Sequence, residues 1–405
     1  MTPTDSRSLW IRLFLPFAAG YFLSYLYRTA NAVIGPVLAQ ELQLGDNALG
    51  LLTSTYFLAF GAAQLPLGML LDRFGPRRVE AGLLLIAACG AAIFALSDTL
   101  GGLASGRALI GLGVSACLMA SFKAFSQWFP PERQASLTGW IMASGGLGAL
   151  AASKPLELAL GIAGWREIVL ALAATTLLVA AALWWFVPDK AITDKGAGFA
   201  EQLRGVRQIF ASRHFWVYAP MAFWMTGGFM AVQGLWITRW MSVIEQMAPA
   251  AIAARLTWIS GTMLVGFLFM GFFATRLVHR GIKLEDVYQV SMLAALAALA
   301  SLVLFPTFGG DLLWPLLGAC FSLSNIAYSL VSKAFPAALS GRANTALNLL
   351  AFAGAFGLQW GFGILVDLLQ TGEWTTAAAY RAALACLLAG QVVAFMWLSV
   401  ERRKG

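Results

Sequence analysis

Apolar residues run along this 405-residue chain in stretches of about twenty, parted by short polar connections. A helix that crosses a bilayer needs about 20 mainly apolar residues. Twelve stretches meet that need: 10–37, 47–71, 79–98, 100–123, 136–158, 165–187, 215–241, 252–275, 286–306, 311–334, 343–369 and 376–399. The pattern therefore predicts an all-α integral membrane protein of twelve transmembrane helices.

The longest polar connection, PDKAITDKGAGFAEQLRGVRQIFASRH, follows the sixth stretch. It divides the chain into a six-helix half over 1–188, a linker over 189–213 and a second six-helix half over 214–405. The halves echo each other: SFKAF at 121–125, followed by Arg133, is similar to SKAFP at 332–336, followed by Arg342. At that offset of 209–210 residues Gly148 falls on Gly357, which favours a duplicated, pseudo-symmetric pair. Parallel six-helix repeats belong to rocking transporters, with the binding site between the repeats.

Composition agrees: 60% of residues are hydrophobic and 11% charged, against about 25% charged in soluble domains. The net charge of +8 does not point to nucleic acid, because the basic residues are scattered between apolar runs. Their placement sets topology instead. With the N-terminus in the cytoplasm, twenty of the 27 Lys and Arg residues fall on the cytoplasmic side, including Arg73, Arg77, Arg78, Arg133, Arg276, Arg280 and Arg342. Asp46, Asp98, Glu245, Asp311 and Glu373 mark the other side, so both termini are expected to be cytoplasmic. MTPTDSRSLWIRLF carries no small-residue cleavage site, and no removable signal peptide is expected. Cys89, Cys117, Cys320 and Cys386 lie in apolar stretches without pairing or metal-type spacing, and read as core residues.

The connection between the second and third stretches reads GMLLDRFGPRR (68–78). Gly68 would permit close helix contact, Asp72 at a membrane boundary needs a cation or helix N-terminus, and Gly75 makes the turn. Arg73, Arg77 and Arg78 would hold the loop on the cytoplasmic face. At every defining position this loop resembles the G-x-x-x-D-R-x-G-x-R-R signature of the major facilitator superfamily. The equivalent loop of the second half, GFFATRLVHRG (271–281), is a degraded copy with Thr275 where the acid should be. RALIGLGVS (107–115) resembles the R-x-x-x-G-x-G motif on the superfamily's fourth helix. Its glycines would let helices approach; Arg107 is expected near the outer end, snorkelling or structurally paired. The Gly-Pro signature of drug/proton antiporters on helix five is missing, with Lys154-Pro155 in its place. SFKAFSQWFPPERQASLTGW (121–140) and GWRE (164–167) look more like organic-anion and anion:cation symporter branches.

Ionisable residues inside a membrane are functional candidates. Arg28 lies well inside the first stretch, with Tyr25 and Asn31 on its helical face. The expected interior offers it almost no acid: Asp72 is at the cytoplasmic edge, and Glu157 and Asp367 are near the opposite ends of their helices. In the organic-anion branches an arginine on helix one commonly binds the substrate's carboxylate or phosphate, and its surroundings there resemble YLYRTAN here. A guanidinium grips such groups in two-pronged fashion. Lys154 is a second unusual cation, either drawing substrate or paired with Glu157. Gln233 and Trp236, Asn325 and Tyr328, and Asn348 and Gln359 offer orienting polar groups for a cavity. Arg239 reads as interfacial.

The expectation is a monomeric secondary transporter in a bacterial inner membrane, carrying a small organic anion by alternating access. No cofactor or metal is expected; coupling to H⁺ or Na⁺, anion exchange and uniport all stay open. Efflux of a cationic or neutral drug is the alternative, and a transporter-like ligand sensor is a more distant one. No nucleophile–base or metal constellation supports an enzyme.

Overall fold

The structure, a computed structural model, describes residues 10–188 and 199–403; the start of the expected linker, 189–198, lies outside them. After a π-helical turn at Trp10–Phe14 come α1 (Leu15–Glu41), α2 (Asp46–Phe74), α3 (Pro76–Leu96), α4 (Leu100–Trp128), α5 (Pro131–Ala151), α6 (Lys154–Leu160) and α7 (Trp165–Phe186). The second segment holds α8 (Phe199–Ala211), α9 (Arg213–Val243), α10 (Pro249–His279), α11 (Leu284–Leu304), α12 (Gly310–Lys333), α13 (Ala337–Thr371) and α14 (Thr376–Arg403). Helix starts follow local chemistry. Gly75 turns the chain at φ +81°, and Pro76, Pro131 and Pro155 occupy first turns, where their missing N–H leaves no bond unmade.

Ten helices are long and apolar enough to cross a membrane. The two expected crossings outside that group are α1, with Arg28, Asn31 and its tyrosines, and glycine-rich α5. Both pack a face against the other segment, α1 on α9 and α5 on α10. The heaviest packing between segments joins α2 to α13 and α5 to α10. The outside of the bundle is apolar: Leu178, Trp185, Leu304 and Phe308 are exposed, as lipid contact requires.

The expected stretch at 136–158 is broken, because α5 ends at Ala151 and α6 restarts at Lys154. α4 loosens at Ser115–Ala116 and α12 at Asn325, positions 209–210 residues apart, the offset of the sequence echo. Glycine packing repeats too, at a slightly different offset from the one the sequence suggests. A Cβ on Gly148 of α5 would sit 2.2 Å from the Phe22 carbonyl of α1, and one on Gly354 of α13 2.2 Å from the Phe223 carbonyl of α9. Gly357 meets nothing, so Gly354 makes the equivalent contact. Of the cysteines, Cys117 and Cys320 are buried but Cys89 and Cys386 face outward, so only two are core residues. The expected linker contains α8, whose Gly205 lies against Arg342 of α13.

Candidate functional site

α1 is buried on nearly all sides, and Arg28 retains only 8% exposure. Its guanidinium carbon lies 4.5 Å from the ring centre of Tyr25, 5.5 Å from Phe60 of α2 and 5.3 Å from Phe352 of α13. Cation–π attraction in this three-ring cage holds the charge in place, and the Tyr56 hydroxyl is a side-chain hydrogen-bond partner. The rings cannot satisfy five N–H donors. Nε has no partner, and no carboxylate faces the group among the described residues.

Tyr56, Phe60 and Gln64 lie at i, i+4 and i+8 and so share one face of α2. Phe60 stacks on Phe352 with centroids 4.0 Å apart. A polar chain then runs between the segments. Tyr328 of α12 donates to Asn348 Oδ1 at 2.8 Å, and Asn348 Nδ2 donates to Gln64 Oε1 at 3.1 Å. Gln64 Nε2 in turn caps the Ser115 carbonyl freed where α4 loosens, at 3.4 Å. Tyr328 lies within electrostatic range of Arg28 and Tyr25. The structure thus brings together three of the expected residues, Arg28, Tyr25 and Tyr328. With them stands Asn348, also offered by the sequence, and the structure adds Tyr56, Phe60, Gln64 and Phe352.

Other candidates are engaged elsewhere. Asn31 Nδ2 donates across the segments to the Gly234 carbonyl at 3.4 Å, in a π-helical stretch of α9 at Val232–Trp236. Gln233 points at Met263 Sδ, 3.0 Å away. Trp236 donates to the Gln359 carbonyl at 2.9 Å and stacks on Phe362 at 4.7 Å, so it is a packing residue of the second segment. Gln359 bonds Thr53 of α2. Asn325 caps its own helix at the Ser322 carbonyl. Lys154 Nζ holds Glu157 at 2.5 Å, while its backbone N–H donates to Thr257 of α10 at 3.2 Å.

The end of the interface away from the Asp72 loop is stitched by Asp46–Arg239 (3.4 Å), Asn47 N–H to Asp367 (3.0 Å) and Trp360 to Asn47 Oδ1 (2.7 Å). Arg239 is therefore an inter-segment ion-pair residue rather than an interfacial one. At the loop, Asp72 finds its cation in Lys123 of α4 at 2.6 Å. Arg77 donates to the Trp184 carbonyl, Arg73 stacks on Phe74 at 5.3 Å, and Arg78 is engaged. Two expectations here need correction. Gly68 makes no close helix contact, since an added Cβ would meet nothing within 4 Å. Arg107 does not snorkel. It is 5% exposed, donates to the Tyr27 carbonyl at 3.1 Å and lies 5.1 Å from the Tyr56 ring. The glycines after it do admit close packing: a Cβ on Gly111 would sit 2.2 Å from the Tyr56 carbonyl. Thr275 lies outside the residues whose side chains are described.

The interior is less free of acid than the sequence implies. Glu80 of α3 is fully buried, and neither carboxyl oxygen has a hydrogen-bond partner. An apolar cavity inside the second segment, between Phe229, Trp314 and Phe321, offers only Ser324 and Gln391 as polar lining and no charge. Among the described residues no group of three His, Cys, Asp or Glu side chains is assembled to hold a metal.

A family model described as Major Facilitator Superfamily matches residues 17–358. Over 39% of this chain there is 27% identity with the probable sulfoacetate transporter SauU of Cupriavidus necator, and over 49% there is 26% identity with the hexuronate transporter of Escherichia coli K12. The chain covers 36% and 49% of the length of these relatives. Among solved structures, a bacterial homolog of the human lysosomal transporter Spinster, inward-facing and unoccupied, superposes with a TM-score of 0.77 at 17% identity. That match spans all of this chain and 98% of the other.

Proposed function

The chain belongs to the major facilitator superfamily, and on that footing we propose that it carries a small organic anion, with Arg28 binding the acid group. It is a multi-pass integral membrane transport protein and not an enzyme. The observation that carries the proposal is the buried guanidinium of Arg28, caged by three rings and facing no carboxylate among the described residues. Unpaired buried cations are costly in a membrane. A carboxylate or sulfonate arriving between the segments supplies the missing partner through paired hydrogen bonds. Relatives named for sulfoacetate and hexuronate transport favour the same ligand class.

In this proposal the chain crosses the bacterial inner membrane twelve times, in halves over 1–188 and 214–405 joined by the 189–213 linker, with both termini cytoplasmic. The matched helix breaks at Ser115–Ala116 and Asn325, and the paired contacts of Gly148 and Gly354, support two related halves. The halves rock about the seams α2–α13 and α5–α10. In the present conformation the Asp46–Arg239 end is closed. Tyr25, Tyr328, Asn348 and Gln64 orient the anion beside Arg28, while the loop of Gly68, Asp72, Arg73, Gly75, Arg77 and Arg78 braces the cytoplasmic end. The protein works as a monomer, with H⁺ or Na⁺ as coupling ion. Drug efflux has less support, because the seam centre carries a cation without a facing acid.

Thermal stability of the purified protein tests the site. D-galacturonate and sulfoacetate are expected to raise Tm where D-galactose and cationic dyes do not, and Arg28→Ala is expected to abolish the rise. Stabilisation by cations alone, or an unchanged anion response in Arg28→Ala, would overturn it. Counterflow of labelled D-galacturonate in liposomes separates a transporter from a sensor.

A further inference from the structure

Glu80 has no role in the anion site, yet its surroundings are specific. It lies in the second turn of α3, wedged between α1 and α4. Its Oε1 occupies the place a side chain would take on Gly20 of α1, since a Cβ there would be 2.2 Å away. Only glycine at position 20 leaves room for the carboxyl. The polar group facing it is the Cys117 thiol of α4, which also lies in electrostatic range of Arg28.

Other charges near this end of α3 are committed. Asp72 of α2 and Lys123 of α4 bind each other, Arg77 donates to the Trp184 carbonyl of α7, and Arg78 is engaged. α7 packs closely on α3 and brings no titratable side chain after Glu167. Gly20 is the α1 residue at the carboxyl, with the Tyr21 hydroxyl and then Arg28 further along. A carboxylate faced by no cation and by only the weak donor of a thiol is not stable in such a place, whereas a neutral carboxylic acid is.

We propose that Glu80 is the proton-binding carboxyl of the transport cycle, protonated while an anion is held at Arg28 and discharged toward the Asp72 end once the anion has left. The inference rests on Arg28 as the anion site. Gly20 and Arg28 are eight residues apart on one helix, about 12 Å along its axis. In the closed, dry pocket of this structure Glu80 is neutral; with the site empty, the positive charge of Arg28 eases loss of that proton once water reaches the carboxyl from the Asp72 end. A bound anion cancels that charge, and Glu80 takes up one proton, so anion and proton stabilise each other's binding. One proton then crosses with each anion, and no bond other than the carboxyl O–H forms or breaks. Release leads toward the Asp72 loop because Glu80 lies only about 6 Å of helix rise from the start of α3.

Infrared difference spectroscopy on the full-length protein tests the proton without any substrate. The wild type is expected to show a protonated-carboxyl C=O band at neutral pH that is absent from Glu80→Gln; identical spectra would overturn the proposal. In liposomes loaded with a pH-sensitive dye, external D-galacturonate is expected to acidify the lumen for the wild type. Glu80→Gln is expected to keep counterflow within about twofold while losing at least tenfold of accumulation driven by a pH gradient. Accumulation retained by Glu80→Gln would sink the idea. Absent wild-type counterflow with D-galacturonate and sulfoacetate would instead count against the anion site, leaving the infrared result to judge the proton. Should Glu80→Gln fail to insert, Glu80→Asp serves: coupling persists with a shifted pH profile, and an unchanged profile overturns the assignment.

Discussion

The middle of the inter-segment interface and its end beyond Asp46 draw on the same kinds of polar residue, yet they differ in how these are partnered. At the far end Asp46 meets Arg239, Asn47 meets both Asp367 and Trp360, and Thr53 meets Gln359. In the middle Arg28 has rings around it and a hydroxyl beside it, but no facing acid among the described residues. Paired charges between two moving bodies hold one arrangement of those bodies. An unpaired charge at the same seam waits for a partner from outside. On the proposed function the far end is therefore read as a gate, and the middle as a site.

The sharpest way to break that contrast is to remove the unpaired charge. Taking one partner from a buried ion pair costs about 3–5 kcal/mol, so Arg28→Ala is expected to weaken anion binding by at least a hundredfold in a calorimetric titration with D-galacturonate. Arg28→Lys keeps the charge but loses the planar fork, and is expected to fall in between. If Arg28→Ala binds the anion as the wild type does, the middle of the seam is not the site.

Next in size come the residues that carry the polar chain across the middle. Asn348→Ala removes the link between Tyr328 and Gln64, and a net hydrogen bond contributes about 1 kcal/mol. A five- to tenfold rise in KM for counterflow is expected, with folding retained. An effect as large as that of Arg28→Ala would mean that the chain, and not the guanidinium, supplies most of the affinity.

At the far end the expectation changes kind. Arg239→Ala unlatches a partly buried pair, with side chains 24% and 12% exposed, so its contribution is discounted for solvent screening to about 1 kcal/mol or less. Anion affinity at Arg28 is expected to hold within about threefold, while the balance of conformations shifts toward opening beyond Asp46. Distances between spin labels placed on the ends of α2 and α13 report the shift. Loss of binding without a change in distance would show that the far end belongs to the site.

Much of this contrast was legible in the chain before its structure. The twelve apolar stretches each coincide with a helix or a broken pair of helices, because a hydrophobic run of about twenty residues has few other ways to satisfy its backbone in lipid. The glycine-arginine loop and the isolated Arg28 also stood out, since local spacing and a lone charge are one-dimensional facts. The partners of Arg28 did not. Tyr56, Phe60 and Gln64 share a face of α2, but one aromatic face among many gives no sign that it looks inward at the seam. Glu80 sits close to the expected start of its helix and is missed among the acids of the interior; only the fold reveals that α1 and α4 close over it. Of the two readings open for Arg107, snorkelling and structural pairing, the fold takes the second, and nothing local distinguishes an interior arginine from one that snorkels.

Lys154 tests the principle at its weakest point. The sequence leaves two readings open for it, drawing the anion as a second cation or pairing with Glu157; it sits where α5 gives way to α6 and holds Glu157 one turn ahead at 2.5 Å. With side chains 34% and 24% exposed, that pair contributes a few tenths of a kcal/mol at most after screening, and its net charge is zero. Lys154→Ala is therefore expected to change counterflow less than twofold, and Lys154→Ala/Glu157→Ala less still. If Lys154→Ala lowers affinity tenfold while the double variant restores none of it, a paired cation is feeding the site, and pairing no longer separates gate from site in this molecule.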